Sequence, residues 1–568
     1  MIVVFVSYLL ILYIALGMGL WMRQWINLEK VNVLFTILIG FLILINIATF
    51  YAISFPINYM FMGLILCLST ASFIYHRNAL YQIINKTRLD YLNLPKHYRL
   101  IFWVLVIVSL LHTSSSPTLA DNESYYIQTI KWLNEYGLVK GLGNLHLFLG
   151  QASGWHLLQS SLNFKFLNNH LNDLNGFLII LAGFFSLTKL NAYHKTKDYL
   201  DLFMGLILLS VPGQFLFIDS PSTDLSLLLV VPIITYLFLK CMRKEDDSNF
   251  LLMFILTLLV ILVKVTIAPV LILPLIILLR YKKLPYHKLL FTLSSISLIG
   301  FITKNLIITG YPFYPLSIGS DLINIDWKLN KNIQDTYYQW ITLYAWKIDD
   351  MNYFESLGFF EKFMLWLNQS GINGIMNKAI TFIMIAFPMY FYKKRVFLLL
   401  YISCIIQFII FYLTSPQYRF FLPVLLIMGL LFIVEILKNH LKYIPAIISI
   451  NLIFLVFTGI FGFNLTVFSN NPIMQERSKF KIFQLIYPQP HTQFPAMLFK
   501  KEKVGNLIYY TPDSTNSTFY QTSDGPLPSS NKTMIKFFAK KYKHIPQLRT
   551  QNIKDGFYMK PIEKEKKK

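Results

Sequence analysis

Apolar residues in this chain arrive in uninterrupted blocks of about 15 to 23, as at 3–20, 33–52 and 443–463, and no other feature narrows its fold as far. A helix of roughly 20 residues crosses about 30 Å of hydrocarbon and satisfies its backbone polar groups internally. The blocks are therefore predicted to be membrane-spanning helices rather than strands. The first has no basic run before it and no small-residue cleavage site after it, so it reads as a retained helix and not a removable signal. The balance of the 568 residues agrees, with 55% hydrophobic, 14% charged and a mean hydropathy of +0.52.

The formal charge of +23 would point a soluble domain toward nucleic acid, but here most of the excess falls in loops and in the tail. No nucleic-acid partner is expected. Cys67, Cys241 and Cys404 lie in apolar blocks with no His at ligand spacing, so neither a disulfide nor a zinc site is inferred.

Short cytoplasmic loops collect Lys and Arg, which assigns each loop a side. Arg23 and Lys30 mark one inside loop, Arg77, Lys86, Arg88, Lys96 and Arg99 the next, then Lys189, Lys195 and Lys197, and then Lys240, Arg243 and Lys244. Arg280, Lys282, Lys283 and Lys288 are also inside, so the apolar stretch 249–280 must cross twice. Its turn is placed at Lys264-Val-Thr-Ile-Ala-Pro269, between arms of about 15 residues. Lys393, Lys394 and Arg395 mark the inside again, as do Lys438 and Lys442. The alternation closes on about 14 spans with both termini extracytoplasmic. It gives an all-α polytopic domain over 1–463, outside loops at 114–174 and 310–375, and a small basic extracytoplasmic domain over 464–568.

An outside loop of about 60 residues is long for a connector, and such loops usually carry function. The first reads Ser116-Pro-Thr-Leu-Ala-Asp121-Asn-Glu-Ser-Tyr-Tyr126, then apolar residues at helical spacing to Tyr136, then Gly141-Leu-Gly-Asn-Leu-His146 and a second amphipathic stretch from Trp155 to Phe166. Two helices lying on the membrane surface fit this pattern. Asp121 and Glu123 stand where a carboxylate works as an interfacial base, or else cap the following helix. Asp224, in Asp219-Ser-Pro-Ser-Thr-Asp224, faces the same two readings at the mouth of another span. Lys264, Lys304 and Arg419 recur at that level, either snorkelling or together holding a phosphate.

This arrangement resembles the GT-C superfamily of membrane glycosyltransferases, which take a sugar from a polyprenyl-phosphate donor at the outer face of the membrane. Asp121 occupies the place of that superfamily's base, and Ser222-Thr-Asp224, Val263-Lys264-Val-Thr and Gln417-Tyr-Arg419-Phe with Pro423 are similar to its recurrent features. The chain also resembles an uncharacterised bacterial multi-pass membrane protein family known only by a locus tag. The likeness rests on Ile130-Lys-Trp-Leu-Asn-Glu-Tyr-Gly137, Gly141-Leu-Gly-Asn-Leu-His146, Gly310-Tyr-Pro-Phe-Tyr-Pro315, Asp524-Gly-Pro-Leu-Pro528 and Asp555-Gly-Phe557. Tyr126 stands where that family tends to have His, and Thr522 and Ser529 stand where it has a pair of Cys, which implies a structural bridge elsewhere in the family.

The resemblance implies inverting sugar transfer to a glycan, lipid or protein acceptor of the cell envelope, at the bacterial cytoplasmic membrane. Asp121, with Glu123 and Asp224 as further carboxylates, is the expected acid-base set. Lys264, Lys304 and Arg419 are expected on the donor phosphate, and Tyr125, Tyr126, Asn144 and His146 on sugar or acceptor. Phosphate is a good leaving group, so this mechanism requires no metal or other cofactor. A lipid-linked oligosaccharide flippase and a surface polysaccharide polymerase or ligase are the alternatives. A transporter would place its charges near the bilayer midplane and show internal repeats, whereas these charges gather at one interface. In the favoured reading, Asp121, Asp224 and Arg419 line one outward-facing cavity.

Overall fold

The computed structural model describes every residue except 27–31, 169–170, 282–285, 467–470, 472, 475, 514–517 and 563–568. Lys30, Lys282 and Lys283, expected as inside markers, lie outside the described residues, as does the side chain of Arg23. The chain is helical up to Phe461 and forms a polytopic membrane protein. Among the described residues nine helices are long and apolar enough to cross a membrane: Ile2–Met22, Val33–Ser54, Asp173–Thr196, Thr223–Arg243, His287–Thr309, Gly371–Phe391, Arg395–Thr414, Tyr418–Leu437 and Leu441–Phe461. Three shorter apolar helices, Tyr199–Gln214, Asp247–Val263 and Val265–Arg280, accompany them. Helix Tyr59–Tyr75 turns by 88° into the basic helix Arg77–Leu92.

The 249–280 stretch breaks where the sequence predicts. Helix Asp247–Val263 stops at Lys264, whose backbone is extended, and the chain continues as a 3-10 turn, Val265–Leu271, that holds Pro269. The backbone N–H of Asp246 then donates to Tyr281 Oη at 2.9 Å, so the stretch ends beside the place where it began.

The basic loops converge at one end of the bundle. Arg243 pairs with Asp198 at 2.5 Å, Lys189 with Asp201 at 2.9 Å, and Lys394 with Glu435 at 3.3 Å. Tyr98 reaches His194, and Tyr199 Oη donates to the Leu431 carbonyl. The opposite end carries the N-terminus, the loop from Ser114 and the tail. There Val3 N donates to the Ile486 carbonyl at 3.1 Å, and Gln489 N to the Ser114 carbonyl at 2.8 Å.

Among its described residues the tail holds three two-stranded antiparallel sheets and the helix Lys532–Tyr542. Strands Phe499–Val504 and Leu507–Pro512 pair in the register Val504↔Leu507, which leaves a two-residue turn, Gly505-Asn506. Gly505 has φ +57, and a Cβ there would meet Gln547 Oε1 at 2.1 Å, so glycine lets the turn form without moving the Gln547 side chain.

The two helices expected on the membrane surface are instead enclosed. A π-helical turn, Asn122–Tyr126, leads into Ile127–Glu135, and Gly154–Ser161 follows. Trp132 and Trp155 are fully buried. The polar face of the first helix, which reads as solvated in sequence, is met by the tail: Gln128 Nε2 donates to the carbonyls of Ser523 and Gly525 at 3.0 and 2.8 Å, and Lys131 pairs with Asp524 at 2.9 Å. Polar stripes of this kind need partners and not water, and here distant segments supply them.

Candidate functional site

Helix Thr223–Arg243 begins at Ser222, whose hydroxyl accepts from Asp224 N at 3.2 Å. Ser222 is thus the cap, and the Asp224 carboxylate is left for Lys264, with which it forms a direct ion pair. Likewise Asp121 makes no capping bond to the helix that follows it. Its Oδ2 accepts from Arg419 Nη1 at 2.8 Å, and the same Arg419 nitrogen lies 4.0 Å from Asp224 Oδ2. The capping reading therefore fails for both carboxylates, and four charges from four separate elements form one cluster.

The cations are held as well as paired. Arg419 Nε donates to Gln417 Oε1 at 2.9 Å, within the turn that opens helix Tyr418–Leu437. Lys264 stands 4.2 Å from the Phe420 ring centroid and the Arg419 guanidinium 5.3 Å from it, so one aromatic ring serves both. Lys264 is free to reach this position because the helix breaks at it.

Asp224, Lys264 and Arg419 line a cavity with Leu227, Phe411 and Pro423 among its walls, of about 240 Å³ counting its mouth. Asp121 joins it through Arg419. The Asp121 and Arg419 side chains each keep 28% of their surface exposed, whereas Asp224 keeps 6%. The Asp121–Arg419 pair is the accessible half of the cluster, and Asp224 with Lys264 is the enclosed half.

Tyrosines surround the accessible half. Tyr126 is buried and Tyr125 half-buried beside it, and the Tyr126 hydroxyl is pushed well above the ordinary range by burial and by the Asp121 charge. Tyr344, from helix Lys331–Trp346, stands exposed on this side, and Tyr520, from the tail, also feels Asp121 and is raised chiefly by burial. Lys347, also exposed, lies 3.9 Å from the Tyr344 ring centroid. Sequence reasoning missed Tyr344, Lys347 and Tyr520. For Tyr344 and Lys347 the signal available was the aromatic density of the second long loop, whereas Tyr520, in the tail, carried none.

The remaining predicted residues are placed differently. Glu123 is buried against the tail: its carboxylate accepts from Thr492 Oγ1 at 2.8 Å, Gln493 N at 3.0 Å and Asn122 Nδ2 at 3.1 Å. Its backbone carbonyl accepts from Thr522 N and Ser523 N at 3.0 and 2.7 Å. Burial raises the carboxyl, against the pull of these bonds. Asn144 Nδ2 donates to the carbonyls of Trp327 and Phe557, and His146 Nε2 to that of Tyr520 at 3.0 Å. Lys304 lies in a separate cavity and donates to the Ala152 carbonyl. The structure thus gathers Asp121, Asp224, Lys264, Arg419, Tyr125 and Tyr126, turns Glu123, Asn144 and His146 to other partners, and sets Lys304 apart. Among the described residues no group of three or more His, Cys, Asp or Glu stands close enough to hold a metal ion.

A family model described as a domain of unknown function, DUF8201, matches residues 1–426. No curated protein and no solved structure matches the chain.

Proposed function

The chain belongs to the DUF8201 family, and for it we propose a GT-C-like glycosyltransferase that moves a sugar from a polyprenyl-phosphate donor to a cell-envelope acceptor at the outer face of a bacterial cytoplasmic membrane. The observation that carries this reading is the Asp121–Arg419 contact of 2.8 Å at the accessible edge of a cluster holding a second carboxylate and a second cation. Cations in an enclosed site suit a phosphate, and a carboxylate beside them suits a hydroxyl that must lose its proton.

In this reading the donor phosphate draws Arg419 and Lys264 to itself and frees the Asp121 carboxylate. Asp121 takes the proton of the acceptor hydroxyl as its oxygen bonds to the anomeric carbon. The carbon–oxygen bond to phosphate breaks, and its electron pair stays on the phosphate, where the two cations offset the new charge. Asp224 orients Lys264. Inversion at the anomeric carbon follows from a single displacement.

The topology supports the reading. If the bent pair, the three shorter apolar helices and Lys96–Thr113 are each counted as a crossing beside the nine long helices among the described residues, the proposed total is fourteen. The cluster then lies at the end opposite the basic loops, on the outer side by the charge rule, with 464–568 as an extracytoplasmic domain over it.

The test compares lipid-linked and surface glycans from wild-type, deletion and Asp121→Asn strains. Asp121→Asn should reproduce the deletion profile. A deletion phenotype that Asp121→Asn leaves untouched would overturn the assignment of the base, and accumulation of a sugar-loaded lipid on the inner leaflet alone would favour the flippase.

A further inference from the structure

Lys304 lies on helix His287–Thr309, one to two turns before its end, and is 5% exposed. Its ammonium donates to the Ala152 carbonyl and stands 5.4 Å from the Phe301 ring centroid. No carboxylate among the described residues pairs with it, in contrast to Lys264 and Arg419. An ammonium within a membrane-spanning segment is costly unless something of opposite charge offsets it.

The space beside it is polar on one side. A narrow slot lies between helices Val33–Ser54, Gly154–Ser161 and His287–Thr309, lined by Asn46, Thr49, Ser297, Gly300, Phe301 and Lys304 among others. Ser297 is 3% exposed and its hydroxyl has no hydrogen-bond partner. A buried hydroxyl left this way marks a group waiting for a ligand or water. His156, on the short helix behind, is held neutral: burial, then the Lys304 charge, lowers it to about 3.

The surroundings say from where a ligand arrives. Asn46 and Phe301 in the slot's lining are only half-buried, and Phe50, beside Gly300, is exposed on the outer surface of the helices. The slot therefore opens among hydrocarbon-facing side chains and not into the cluster around Arg419, with which it shares no lining residue.

We propose that this slot is a second anion site, in which Lys304 and Ser297 hold the phosphate of a phosphorylated lipid that arrives from the bilayer. The proposal stands apart from the transfer reaction, since it concerns binding by residues outside the Asp121–Arg419 cluster.

The test uses the full-length protein in detergent, with short-chain phosphatidic acid as the probe, uncharged diacylglycerol of the same chain length and inorganic phosphate as comparisons, and native mass spectrometry as the readout. Binding is measured in an Arg419→Gln background, so that the first cluster does not contribute. Phosphatidic acid should bind, and Lys304→Gln should weaken it at least tenfold. Gly300→Leu supplies a second variant: a Cβ at Gly300 meets only ordinary contacts at 3.5 Å, so the new side chain fills the slot with Lys304 retained, and it too should abolish binding. Phosphatidic acid binding that survives both substitutions overturns the proposal. So does diacylglycerol binding as well as phosphatidic acid, or Lys304-dependent binding of inorganic phosphate without the lipid.

Discussion

Arg419 and Asp121 are 298 positions apart in the chain, yet the guanidinium of one donates to the carboxylate of the other at 2.8 Å. A pair that keeps 28% exposure on both side chains contributes little to stability, on the order of 1 kcal/mol or less. Its place at the mouth of an otherwise buried charge cluster is better explained by chemistry than by folding.

Asp121→Asn should therefore leave the protein folded and remove transfer. The amide still accepts from Arg419, so detergent thermal unfolding should move by only a degree or two, while loss of a general base lowers rate by about 10²- to 10⁴-fold. Arg419→Lys should keep the charge but lose the bond to Gln417, and so retain partial activity. Transfer assayed in membranes from the two strains checks both, and equal activity in Asp121→Asn and wild type would remove Asp121 from the reaction.

The enclosed half behaves differently. Asp224 and Lys264 are paired with 6% and 18% of their side chains exposed, so removing one partner leaves a charge with poor solvation. Lys264→Met should destabilise the protein by about 3 kcal/mol, near the lower end of what breaking a buried pair costs, because Arg419 at 4.0 Å from Asp224 offsets part of the loss. Lys264→Met with Asp224→Leu should recover most of that stability and still be inactive. Chemical denaturation of the single and double variants measures the coupling. Additive losses would show that the pair is not a unit.

How the sequence read this site follows from what charge patterning contains. Alternation of basic loops fixes depth, and it placed Asp121, Asp224, Lys264, Lys304 and Arg419 at one level. It carries no information on position around the bundle, which is why Lys304 at the same level belongs to another cavity. Asp121 and Asp224 resemble caps because caps are local; only the partners, 298 and 40 positions away, distinguish them. Glu123 was expected in the acid-base set and Asn144 and His146 on sugar or acceptor, but their partners lie in the tail or the second long loop, which no local pattern shows. The helices themselves were legible, since a span satisfies its own backbone, while the covering of the first loop depends on contacts across nearly 400 residues.

Burial of His146 gives the tail a pH dependence. Burial lowers this imidazole from 6.5 to about 4, against the opposing bond to the Tyr520 carbonyl, so the folded protein holds it neutral with Nε2 as the donor. Above pH 6.5 neither state binds the proton and there is no penalty. As pH falls from 6.5 toward 4 the unfolded chain is protonated and the folded one is not, and stability falls by about 3 kcal/mol from this residue. Limited proteolysis of the tail between pH 7.5 and 4.5 should show growing cleavage, and His146→Gln, which keeps a donor, should flatten that rise. An identical profile in the variant would assign the acid sensitivity elsewhere.

Asp219 and Arg477 connect the tail to the start of helix Thr223–Arg243 through an ion pair of 3.1 Å with both side chains fully buried. Thr118 also donates to the Asp219 carboxylate, and Asn175 Nδ2 ties the carbonyls of Phe217, Ser220 and Ser222, so the segment that presents Asp224 is anchored from three sides. Arg477→Met leaves a carboxylate in a site that excludes water, and should cost about 3–5 kcal/mol. Asp219→Leu with Arg477→Met replaces the pair by apolar groups and should recover most of the stability, since a buried pair is worth little against a packed hydrophobic substitute. Activity separates anchoring from mere folding. If the pair positions Asp224, the stable double variant should remain folded yet lose at least tenfold in transfer, whereas full activity in it would mean that the pair serves the attachment of the tail alone.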